Sequence, residues 1–174
     1  MLPSKVVHAQ APKCDTTYKL LTYGLPRFEY QNATAVVGRE WCITYFAVAG
    51  CIVSKELVDS VRTVNRRVTA DIVGRYGTDW EVRFDADVER EFEREKEIVA
   101  KIEALPAIQE RQKELKAEGN GLDYWVTPVE GGDEVLVRGY EQWEGKTEWL
   151  VLYEFRVDGK TGTVTLASHE PRRE

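Results

Sequence analysis

Over residues 54–118 the apolar positions recur at helical spacing, and over 123–168 they alternate in short runs divided by glycine-containing turns. In the first stretch Leu57, Val61, Val64, Val68 and Ile72 form one stripe of a helix that Ser54 caps and Tyr76-Gly77 ends. Thr78 and Glu81 have capping-box spacing, and the helix they open carries Trp80, Phe84, Val88, Phe92, Val99 and Ile102 on its apolar side. Leu105-Pro106 interrupts that helix, because the residue before a proline is driven out of the α region. A third helix therefore spans 106–118.

The second stretch reads as a four-strand meander over 124–129, 135–143, 149–157 and 163–167, joined by glycine-bearing hairpin turns. Upstream, 18–30 is aromatic-rich and broken by Gly24 and Pro26. A short helical pattern over 32–40 has Asn32 as its N-cap, and the β-branched and aromatic run 41–48 reads as a buried strand. The pattern predicts an α+β fold with helices packed on one face of a four-stranded antiparallel meander sheet. One domain covers 18–168, its helical part 54–118 and its sheet part 123–168, between a loose arm at 1–17 and a tail at 169–174. A run of helices followed by a run of strands also excludes the βαβ folds that build nucleotide sites at strand ends.

Strand phase then selects surfaces. In the third strand Trp149, Val151, Tyr153, Phe155 and Val157 share a continuously apolar face, which the pattern buries against Leu57, Val61, Val68, Phe84, Val88 and Phe92. Leu150, Leu152, Glu154 and Arg156 then point away from the helices. In the second strand Arg138, Tyr140 and Gln142 point the same way. Arg138, Tyr140, Glu154 and Arg156 thus predict a polar, aromatic-centred patch beside Trp143: either an ordinary solvated sheet face with the N-terminal segment over Leu150 and Leu152, or a docking surface with Tyr140 and Trp143 as anchors.

Composition narrows the chemistry. The chain has 174 residues, 43% of them hydrophobic, enough for a core without metals or disulfides. Its net charge of −6 disfavours nucleic acid, and no apolar run reaches the roughly 20 residues that span a bilayer. There are two histidines, His8 and His169, both in terminal segments. Histidine is the usual base for a serine or cysteine nucleophile and the commonest transition-metal ligand. No catalytic residue, metal site or cofactor is assigned. Gly131-Gly132 and Gly159-Lys160-Thr161-Gly162 join strand to strand, whereas a phosphate loop joins a strand to a helix N-terminus.

Of three cysteines, Cys42 and Cys51 are expected to be bridged to each other or buried as free thiols, and Cys14 to be reactive. Asn32-Ala33-Thr34 matches an N-glycosylation sequon. Residues 1–11 end in a small-x-small sequence without an apolar core. The chain as written reads as cytoplasmic, and as exported if that stretch is the remnant of a longer precursor.

From Leu105-Pro106 to Ala167, a helix opening on proline leads into a meander that ends in the hairpin Val157-Asp158-Gly159-Lys160-Thr161-Gly162-Thr163-Val164. This last third resembles the PepSY and cystatin-like class of small α+β modules. Ala49-Gly50-Cys51-Ile52-Val53-Ser54 with Tyr76-Gly77-Thr78-Asp79-Trp80 is similar to exported bacterial proteins. The resemblance implies binding or inhibition rather than turnover. The leading expectation is a non-catalytic binding module (an inhibitor, immunity-type or envelope accessory protein) that recognises a protein or peptide through its sheet face and hairpins. The alternative is a small-molecule binder or enzyme with a cleft between sheet and helices. A third reading assigns the charged helices to oligomerisation, and the oligomeric state stays open.

Overall fold

The computed structural model describes residues 14–24 and 27–173, so residues 1–13 of the expected arm, with the leader-like stretch, lie outside the described residues. The chain is α+β, with a two-stranded and a four-stranded sheet. Where the pattern suggests one domain over 18–168, contacts divide the chain into two compact units, with the boundary between Phe92 and Glu93.

In the first unit, strand β1 (Tyr18–Tyr23) leads through a 3-10 turn at Phe28–Tyr30 and helix α1 (Gln31–Trp41) to strand β2 (Ile43–Ala49). Helix α2 (Lys55–Tyr76) and the start of helix α3 (Trp80–Glu103) follow. β1 and β2 pair in parallel, Tyr18 opposite Ile43. This is a small β-α-β arrangement, and it corrects the expectation that such units are excluded. Residues 24–42 are long enough for the crossover that parallel strands require.

Asn32 lies inside α1, after an N-cap at Tyr30, and is 8% exposed. The sequon is therefore not accessible in the folded chain. Leu20, Ala33, Val37, Ile43, Ile72, Trp80, Phe84 and Val88 form the core of this unit. The α2 stripe is only partly inside: Val61 and Ile72 are buried, while Val64 is exposed. Trp41 is held at the core margin, its Nε1 donating to Asp87 Oδ2 at 2.9 Å and its carbonyl accepting from the Tyr76 hydroxyl at 2.5 Å. Gly77 ends α2 at φ 90°, a backbone region open to glycine, and its N–H donates to the Val73 carbonyl.

Two expectations fail here. β2 is not a buried strand: Ile43 is its one buried residue, and Tyr45 and Phe46, successive and so on opposite faces, are both exposed. Cys42 is bonded to Cys14, with Cα atoms 5.6 Å apart, and Cys51 is the free, exposed thiol. A Cys42–Cys51 bridge is excluded by β2 itself, whose seven extended residues span about 23 Å, against the ~7 Å limit for a disulfide.

The second unit holds the end of α3, helix α4 (Pro106–Ala117) and strands β3 (Asp123–Val129), β4 (Gly132–Trp143), β5 (Lys146–Asp158) and β6 (Val164–Ser168). The four strands form an antiparallel meander in the order β3-β4-β5-β6. Its core packs Ile98, Ile102 and Ile108 from the helices on Val126, Val135, Val137, Phe155 and Val157. The expected packing of β5 on α2 residues and on Phe84, Val88 and Phe92 is thereby corrected: those residues belong to the first unit, and β5 meets Ile98, Ile102 and Ile108. Arg94 of α3 pairs with the buried carboxylate of Asp133 at 2.7 Å, anchoring the helix to the start of β4.

Candidate interaction surface

The surface is set by a slip in strand register. Between β4 and β5 the pairing passes from Val137 opposite Tyr153 to Arg138 opposite Val151, so Leu152 is an extra residue on β5. A β-bulge of this kind reverses the alternation of side chains beyond it. C-terminal to the bulge Phe155 and Val157 face the helices, as the phase predicts. N-terminal to it the faces exchange. Leu150 and Leu152 are buried against Leu115 of α4, with Leu122, Trp143 and Tyr153 around them. Gly139, opposite Leu150, makes room for this cluster. A Cβ there would lie 3.0 Å from Leu152 Cδ1 and 3.2 Å from Leu115 Cδ1.

Trp149 consequently faces outward and is 42% exposed, which corrects its placement in the core. Opposite it stands Tyr140, also 42% exposed, with ring centroids 4.9 Å apart in an edge-to-face arrangement. Trp143 does not join them. It packs on the helix-facing leucines, so the expected Tyr140–Trp143 pair is replaced by Tyr140–Trp149. Leu150 and Leu152 are covered by Leu115 of α4, and most of the N-terminal segment expected over them lies outside the described residues.

Arg138, Tyr140, Glu154 and Arg156 do share the outward face, and the charged members are paired within it. Arg138 donates to Asp123 Oδ2 from Nε at 3.0 Å and lies over the Trp125 ring at 5.0 Å. Arg156 reaches Glu134 at 3.5 Å. Glu154 accepts from Arg172 at 2.8 Å, and Glu148 from Arg173 at 2.8 Å. Those two arginines belong to the expected free tail, yet the Arg172 backbone pairs with Val151 in both directions at 2.9 and 3.0 Å. The tail is thus stapled along β5. Arg111 of α4 pairs with Glu141 on the opposite, helix-facing side.

The β5–β6 turn is not a phosphate cradle. The Asp158 carboxylate takes the Lys160 and Thr161 N–H groups at 3.0 and 2.7 Å and the Thr161 hydroxyl at 2.9 Å. These bonds, the Thr161 N–H first, hold the Asp158 carboxyl below the usual range. Among the described residues, no His, Cys, Asp and Glu side chains cluster to hold a metal, and no helix is long and apolar enough to cross a membrane. No family model, curated protein or solved structure matches the chain.

Phase alone placed Arg138, Tyr140, Glu154 and Arg156 on one face. The position of Trp125 near a strand start predicts the partial exposure that the structure shows, whereas phase misses Trp149 and the tail arginines. Gly139 in the middle of a strand was the available signal, since an interior glycine marks a bulge or a close approach.

Proposed function

We propose that the chain is a non-catalytic binding module that docks a protein or peptide on the outward face of its four-stranded sheet. One observation carries the reading: Tyr140 and Trp149 stand as a half-exposed aromatic pair on a sheet face whose arginines and carboxylates are already neutralised among themselves. Aromatic side chains dominate binding hot spots, because they bury a large area at small entropic cost. Paired charges around them make a polar rim that need not be stripped bare on docking. The Cys14–Cys42 bond supports an oxidising compartment, in keeping with an envelope accessory or inhibitor role. The proposal stands equally with or without the PepSY or cystatin-like resemblance.

The test compares immobilised wild-type protein with Tyr140→Ala, Trp149→Ala and the double variant. A partner held by this face is retained by the wild type, and each single substitution weakens it by about 2 kcal/mol. Trp143→Ala serves as the control for stability, because that side chain faces α4. A partner bound with full affinity by the double variant places the interface elsewhere.

A further inference from the structure

A second surface lies in the first unit, in a groove between the outer edge of β1 and one face of α2. Its volume is about 600 Å³. Leu21 and Tyr23 line it from the strand, and Val58 and Val61 form its apolar side on the helix. Arg62 and Arg66 stand along it, and no carboxylate is among its described lining residues. The nearest acid to Arg62 is Asp59, one turn back on the same helix at 3.8 Å, with both side chains more than half exposed. Arg66 makes no ion pair among the described residues.

The strand edge in this groove is closed. The Asn65 carboxamide accepts from the Leu21 N–H at 2.9 Å and donates to the Leu21 carbonyl at 2.8 Å, the donor–acceptor pair that a neighbouring strand would present. A ligand therefore gains little by adding as a strand, and the side chains of the groove do the recognising. Between Val58 and Thr69 the helix rises about 16 Å, the length of roughly five residues of extended peptide. At the strand's end, Gly24 donates to the Ala49 and Gly50 carbonyls, which sets the following loop beside Tyr23. That loop carries Ile52 at 95% exposure, and Tyr23 is 45% exposed.

We propose that this groove binds a short extended peptide that alternates apolar and acidic side chains, its carboxylates toward Arg62 and Arg66 on the helix and its apolar groups toward Leu21 and Tyr23 on the strand. Charge complementarity selects the acidic partner: two guanidinium groups border a channel with no carboxylate among its described lining residues, and guanidinium–carboxylate pairing adds directional bonds. The open, elongated shape suits a chain segment better than a small molecule, whose sites are enclosed. This site is independent of the Tyr140–Trp149 surface.

The experiment uses the full chain with its disulfide intact and a fluorescein-labelled hexapeptide alternating valine and glutamate, read by fluorescence anisotropy. The expected result is saturable binding at least about tenfold tighter than that of the valine–lysine counterpart. It weakens by at least about tenfold in Arg62→Gln/Arg66→Gln and is unchanged in Tyr140→Ala/Trp149→Ala. Both arginines are exposed, so the charge variant is expected to keep the wild-type circular dichroism. No saturable binding by the wild type, equal affinity for the lysine peptide, or unchanged affinity in the charge variant overturns the proposal. Equal or tighter binding of a labelled thymidine hexanucleotide overturns it too, by making the groove a general polyanion site.

Discussion

Leu150→Ala and Trp149→Ala, made separately, test the bulge that builds the interaction surface. Simple alternation buries Trp149 and exposes Leu150; the structure does the reverse. Leu150 is 1% exposed, and leucine-to-alanine changes at such sites cost about 2–5 kcal/mol, the spread reflecting how far the site collapses. Here collapse is limited, because Gly139 opposite has no side chain to move in and Leu115 is fixed on a helix. The expected cost is therefore in the upper half of that range, about 3–4 kcal/mol. Trp149 has close to half its surface in water. Its truncation loses partial burial and an edge-to-face contact with Tyr140, about 1–2 kcal/mol together. Urea unfolding of the oxidised protein, followed by far-ultraviolet circular dichroism, gives both values if the slopes agree. A larger loss for Trp149→Ala than for Leu150→Ala refutes the bulged register and returns Trp149 to the core.

Two further outcomes follow from the first unit. Without reductant, the native protein is expected to show one fast-reacting thiol, Cys51, and reduction under denaturing conditions to release Cys14 and Cys42 as well; fast native modification of Cys42 contradicts the disulfide. Tyr45 is 40% exposed as a whole but lies with its ring 5.9 Å from that of the buried Phe84, and this partial desolvation first, then Asp85 and Glu81, pushes its phenol up to about 12. Because this folded value lies above the unfolded one near 10, its contribution to stability is complete below about pH 10 and is lost as pH rises through about 12. Phenolate absorbance in Tyr45→Phe should lack one late-titrating group, and a titration curve that keeps it assigns that group to another tyrosine.

What local chemistry decides was legible in the chain. Ser54 caps α2 at the expected place, its hydroxyl accepting from the Leu57 N–H at 3.2 Å. Pro106 opens α4 after an extended Leu105. All four meander strands fall within a few residues of their alternating runs, because turn geometry and period-two patterning act over short spans. The shared face of Arg138, Tyr140, Glu154 and Arg156 came from the same pattern. Tertiary packing decided the rest. The extra residue at Leu152 is invisible to an alternation rule that counts every position, yet it moves Trp149 outward and Trp143 inward. The parallel pairing of β1 with β2 joins strands separated by a helix, and no local signal encodes it. Cys42 pairs with Cys14 across the chain and not with its sequence neighbour Cys51, because the intervening strand is extended and holds the two apart. α3 reads as one apolar stripe, but its early residues fill one core and Ile98 and Ile102 fill another. A helix's periodicity states which side is buried; only the assembled fold decides against what.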